Sequence, residues 1–196
     1  MVFLSFAGMT LAADFSAPAL LALLLLTQPR AAVCTLLGAC LLHESAHFLA
    51  IALAGQKPEL LRISAAGLRL TLKQPALCPL PALVCILTAG AAANLIAAAA
   101  LRFAGRNAAA DVQLLLGLFN LLPCRCTDGG ALLEALLQHV LLTRRGSLIQ
   151  PAVTAVSLLT AAALALLLLA ARVRSITLWG MLLLLTVSSI NRHGNL

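Results

Sequence analysis

Charge is what this sequence has least of: only 10% of its 196 residues are charged, and Asp and Glu together number 6. With 62% hydrophobic residues and a mean hydropathy of +1.06, it cannot cover a surface in water, which excludes an ordinary soluble domain. A disulfide framework is excluded as well. Four of the 6 cysteines, Cys34, Cys40, Cys78 and Cys85, fall inside apolar runs where they pack as small hydrophobes, and Cys124 and Cys126 alone lie in a loop-like stretch. Residues 1–14 lack a basic leading region and a small-residue cleavage site, so they do not read as a cleaved signal peptide. No internal repeat, separate soluble regulatory domain or low-complexity tail is visible. The formal charge of +7 does not point to nucleic acid, because its basic residues are scattered between apolar runs. Basic residues flanking membrane spans account for it.

A helical span needs about 20 apolar residues, and the apolar runs sort by that measure. Residues 17–28 and 31–54, divided by Gln28-Pro29-Arg30, read as a helical hairpin. In the polar interval that follows, Leu68, Leu70 and Leu72 alternate with Arg69, Thr71 and Lys73, which predicts one or two strands. Residues 76–101 form a third span. A fourth element starts at 111, stops at Pro123 and resumes after Asp128-Gly129-Gly130. Residues 152–171 and 175–190 complete the series. The expected fold is therefore an all-α polytopic membrane protein of about six transmembrane elements, with a short β-hairpin inserted between the second and third. It is read as one domain over residues 1–196, with a catalytic core at 15–142 and C-terminal helices at 151–190. On that layout Lys57, Arg62, Arg69, Lys73, Arg144, Arg145 and Arg192 lie on one side of the membrane. Arg30, Arg102, Arg106, Arg172 and Arg174 lie on the other. The excess places both termini and the hairpin in the cytoplasm.

The chemistry is concentrated in the second span, at His43-Glu44-Ser45-Ala46-His47. Positions i and i+4 of a helix share a face, so both imidazoles can hold one metal ion, and Glu44 beside the first ligand can reach the metal's open position. In a chain with this few His and Glu, the pattern arises by chance roughly once per thousand such compositions, so it is specific. Burying these three groups in an uncharged span is costly unless they serve a site. A hydrolytic zinc site takes three protein ligands and leaves a fourth position for water. The candidates for the third ligand are Asp128, Glu134 and His139. Asp128 is preferred because it lies at the break of the fourth element, where irregular backbone at membrane depth must line a cavity or be buried in protein. An alternative role for Asp128 is to cap the helix that follows it.

Three segments, His43 to His47, Gly90 to Asn94 and the N-x-x-P-x-x-x-x-D-G run from Asn120 to Gly129, resemble the site-2 proteases. Within that family the resemblance is to the small bacterial branch of the stage IV sporulation protein FB type, and it covers residues 15–142. Ser45-Ala46, Ala91, Cys124 and Cys126 depart from the family's usual residues. The resemblance implies an intramembrane zinc metalloendopeptidase with one Zn2+ on His43, His47 and Asp128 and with Glu44 as catalytic base. It places Asn120 and Asn94 near the substrate. It further implies a multi-pass protein of a bacterial cytoplasmic membrane, with its active site toward the cytoplasm. The implied substrate is a membrane-tethered regulator such as a sporulation sigma-factor precursor, and the implied partners include inhibitory membrane proteins and the lipid bilayer. Two other readings remain open. A membrane transporter would also break a helix around polar groups but has no inverted repeat behind it here. A non-catalytic zinc-binding membrane protein would not require Glu44.

Overall fold

The computed structural model describes residues 2–6, 9–64, 67–73, 78–140, 146–172 and 176–190. Residues 65–66, Arg144, Arg145, Arg174, and the tail with Arg192 and His193 lie outside the described residues. The elements run in the order β1 (Val2–Phe6), β2 (Met9–Ala13), α1 (Ser16–Thr27), α2 (Arg30–Leu53), β3 (Pro58–Ser64), β4 (Gly67–Leu72) and α3 (Leu80–Phe103). Then follow α4 (Asn107–Asn120), α5 (Asp128–Val140), α6 (Gly146–Ala170) and α7 (Ile176–Ile190). The chain divides into two compact units, Met1–Leu118 and Phe119–Leu196, with the boundary in the last turn of α4.

Two expectations are corrected. Among the described residues 3 helices, not six, are long and apolar enough to cross a membrane: Arg30–Leu53, Leu80–Phe103 and Leu148–Ala170. The β3–β4 hairpin accordingly lies between the first and second of these, not the second and third. The reason is length. At 1.5 Å per residue, the 24 residues of α2 reach about 36 Å, enough for a hydrocarbon core of about 30 Å. The 12 residues of α1 reach about 18 Å. Among the described residues, helices α4, α5 and α7 run for 14, 13 and 15 residues, also short of the required ~20. Apolar composition marks all of these segments, but Pro29 and the 121–127 interruption cut the hydrogen-bonded lengths.

In the first unit the sheet has the order β1-β2-β3-β4, so β1 and β4 are its edges. The expected hairpin is present, β3 pairing antiparallel with β4 through Leu61↔Leu70 and Ile63↔Leu68. Period-two patterning did not reveal the rest: β1 and β2 form a second antiparallel pair, and β2 runs parallel to β3, with Leu11 opposite Leu61. Helices α1 and α2 carry the chain between those parallel strands, as a parallel connection requires.

Helices α2 and α3 pack through two matched ridges. On α2 the buried residues Ala39, His43, His47 and Ile51 recur every fourth position, as do Ile86, Gly90, Asn94 and Ala98 on α3. Two i±4 ridges interdigitate, and small residues at the contact allow close backbones. The outward faces carry large apolar side chains, with Leu41 69% and Ile96 71% exposed, as lipid-facing positions would be. Both helices end in the same way. Gly55 (φ 65) and Gly105 (φ 73) take the left-handed conformation, and the N–H groups of Gln56 and Arg106 bond back to the carbonyls of Ile51 (3.0 Å) and Leu101 (2.9 Å). That double-bonded stop satisfies carbonyls that would otherwise be left at the helix ends.

In the second unit, α5 and α6 pack together, as do α6 and α7. The connection 121–127 folds against the start of α5. A Cβ at Gly130 would stand 1.8 Å from the Cys124 carbonyl oxygen, and one at Gly129 2.3 Å from that of Leu121. The paired glycines are therefore a packing requirement of this connection.

A candidate metal centre

The first unit places His43 and His47 one turn apart on the buried face of α2, 4% and 8% exposed. Their rings meet edge to face, with centroids 4.7 Å apart and planes at 74°. The two Nε2 atoms are 3.1 Å apart. On the far side of its ring, His47 Nδ1 lies 2.7 Å from the Ile86 carbonyl oxygen of α3. A carbonyl only accepts, so Nδ1 carries the proton, and Nε2 of the neutral ring turns its lone pair toward His43. A second hydrogen bond of this kind sets the tautomer and orientation of metal-binding histidines.

This pair fits a metal ion. Two imidazole nitrogens at about 2.0–2.1 Å from a tetrahedral ion stand about 3.3 Å apart, close to the separation here. The space beside the nitrogens is kept open by Gly90 of α3, where a Cβ would come within 2.5 Å of both Nε2 atoms. Any larger residue would press against both Nε2 atoms. Glu44, between the histidines in sequence, is half-buried on the same helix.

Asn94, one turn beyond Gly90, is fully buried, and its Nδ2 donates a long hydrogen bond (3.5 Å) to the Ala39 carbonyl of α2. Its Oδ1 has no hydrogen-bond partner among the described residues; neither does Oε1 of buried Gln113 on α4. Leaving such an atom unmet costs about 1–3 kcal/mol, so these are places where a ligand or water has something to bond. Gln113 was not picked out from the sequence, although an amide in the mostly apolar run 111–122 was a usable signal.

The remaining predicted residues belong to the second unit. Asn120 is the last residue of α4 and is half-buried. Asp128 is the first residue of α5, also half-buried, where the helix dipole favours a carboxylate. Thr127, directly before Asp128, caps this helix. Its hydroxyl accepts from the Gly130 N–H (3.4 Å) and donates to carbonyls of the preceding loop, Cys124 among them at 2.8 Å. A threonine directly before Asp-Gly-Gly was a legible cap signal. The other candidate ligands are otherwise placed. Glu134 Oε1 accepts from both Gln138 (3.2 Å) and Gln150 (2.7 Å), and His139 is exposed near the end of α5.

Cys124 is wholly buried, and burial, with Cys126 beside it adding to the effect, pushes its thiol up to about 11. A thiol in that range is protonated at neutral pH, which makes it a poor nucleophile and a poor metal ligand. In the native protein at pH 8, Cys126 is expected to react with a maleimide well before Cys124. Equal labelling rates would show that the Cys124 thiol is not held in this state.

No family model and no curated protein matches the sequence. Among solved structures, the chain is similar to a site-2 protease from Methanocaldococcus jannaschii, with a TM-score of 0.68 over 96% of this chain and 93% of that one. Sequence identity is 20%, so the likeness is one of fold: the chain has a site-2-protease-like fold, with helices fit to cross a membrane more than once and a histidine pair fit for a metal.

Proposed function

We infer that the protein is a zinc-dependent endopeptidase of the membrane, acting on a membrane-tethered protein substrate. The observation that carries this reading is the convergence of His43 and His47 Nε2 at 3.1 Å under Gly90, with Glu44 on the same helix. In this reading His43, His47 and Asp128 are the protein ligands of the ion. Two imidazoles and a carboxylate make a usual catalytic donor set and leave a position open for water. The site-2-protease-like fold is consistent with this chemistry.

Zinc, when bound, acidifies water and offsets the negative charge that develops on the attacked carbonyl. Glu44 takes the proton from the attacking water and delivers it to the departing amine. The Asn120 amide holds the substrate backbone, and Asn94 presents its Oδ1 from the buried face of α3. A peptide bond inside a helix is shielded by its own hydrogen bonds, so the substrate must be extended before it can be cut. The edge strand β4 provides a template on which an extended segment can pair. The active site faces the cytoplasm, and the released product is a soluble regulator.

The third ligand is tested by metal stoichiometry. Purified Asp128→Ala is expected to lose most of its zinc, while Glu134→Ala and His139→Ala keep one equivalent. An unchanged zinc content in Asp128→Ala would remove Asp128 from the ligand set.

A further inference from the structure

The connection 121–127 that leads to Asp128 is fastened to α6 at Pro123, whose carbonyl accepts from Ser157 Oγ (3.3 Å), and more extensively at Arg125. Its backbone N–H donates to Ser157 Oγ (3.0 Å), and Ser157 is itself fully buried and donates to the Val153 carbonyl (2.8 Å). Its guanidinium donates through Nη1 to Thr154 Oγ1 (3.0 Å) and through Nη2 to Gln150 Oε1. Thr154 and Gln150 are in turn bonded to each other, Thr154 Oγ1 donating to the Gln150 carbonyl (2.9 Å). Gln150 Nε2 then reaches Glu134 Oε1 on α5 (2.7 Å). One side chain thus ties the connection to α6, and through Gln150 to α5, the helix that Asp128 begins.

We propose that Arg125 is a positioning residue for Asp128, acting through this chain of hydrogen bonds. A metal ligand carried at the end of an irregular segment needs a support that fixes its approach, since affinity depends on the ligand arriving in one geometry. The Thr127 cap and the Gly129-Gly130 packing set how α5 starts, but both act within a few residues of Asp128. Arg125 relates that start to the long helix α6. The planar guanidinium suits the task because it meets Thr154 and Gln150 at once with a fixed angle between its donors.

The role rests on the proposed assignment of Asp128 as third ligand, and the experiment separates the two. Zinc affinity is measured on the full chain in detergent by competition with a chromogenic chelator. The d–d absorption of the cobalt(II)-loaded protein and its helical content by circular dichroism are recorded beside it. Arg125→Ala is expected to weaken zinc binding by about 10–100-fold and to alter the cobalt spectrum, with helical content unchanged. Arg125→Lys, able to reach one acceptor at a time, falls between Arg125→Ala and the parent. Thr154→Val combined with Gln150→Leu, which leaves Arg125 in place, moves affinity in the same direction. Zinc affinity of Arg125→Ala within about twofold of the parent, while Asp128→Ala loses zinc, would overturn the positioning role alone. Loss of helical signal in step with loss of zinc would overturn it in favour of a purely structural one. Unchanged affinity in Asp128→Ala would remove the ligand assignment, and the positioning role with it.

Discussion

Gly90→Ala is expected to cost the protein its metal, with zinc affinity falling about 100-fold or more, the upper end of what disturbed support of a metal site produces. The added methyl would stand 2.5 Å from both His43 Nε2 and His47 Nε2 and 2.6 Å from His43 Cε1, closer than real Cβ contacts come. Neither ring has an easy retreat. His47 is held at 2.7 Å by the Ile86 carbonyl of the same helix that carries Gly90, so moving it away breaks the bond that sets its tautomer. Separating α2 from α3 instead would break the Asn94–Ala39 hydrogen bond and open the contact of Ile51 with Ile86. Gly38→Ala is the matched control: it lies on α2, and nothing is within 4 Å of an added Cβ. It should keep its zinc and gain slightly in helix stability, since alanine is the better helix former. Zinc content of the two purified variants, with circular dichroism to show that both are folded, decides the matter. A full equivalent of zinc in Gly90→Ala would mean that the space beside the histidines is not where the metal sits.

Glu44→Gln should behave in the opposite way, keeping its metal while cleavage falls about 10²–10⁴-fold, the usual contribution of a positioned general base. The substitution preserves size and hydrogen-bonding reach but removes the ability to accept a proton near neutral pH. It leaves the His43–His47 pair and Gly90 untouched. Binding and chemistry are thereby separated, which distinguishes a protease from a metal transporter or a zinc-holding scaffold. Neither of those requires a base beside the metal. Co-expression with membrane-tethered candidate substrates gives the readout, and the protein that accumulates uncut identifies the substrate. Cleavage at the parental rate would end the general-base assignment.

Different physical ranges explain why some features were legible in the sequence. The His43-Glu44-x-x-His47 arrangement depends only on the geometry of a single helix, and an uncharged span made its polar groups conspicuous. The β3–β4 hairpin was readable for the same reason, since alternation of Leu68, Leu70 and Leu72 with polar residues is a local signature. Span number was misread because hydropathy reports composition, whereas crossing depends on the unbroken length of helix; α1 and α4 are apolar but short, as are α5 and α7 among the described residues. The parallel pairing of β2 with β3 left no local mark, as its partners, Leu11 and Leu61 for example, lie on either side of two whole helices.

The sequence by itself therefore determined a membrane chain, the metal-binding histidine spacing and the adjacent glutamate, all of which follow from neighbours within one or two helical turns. Only the tertiary structure decided that the Ile86 carbonyl sets the His47 tautomer, that Gly90 keeps the space beside both rings open, and that Arg125 anchors the approach to Asp128. The physical reason is that each of these is a contact between distant parts of the chain. His47 and Ile86 are 39 positions apart, and Arg125 and Thr154 are 29. Periodicity and propensity act over a few residues and carry no information about which distant backbone a side chain will meet.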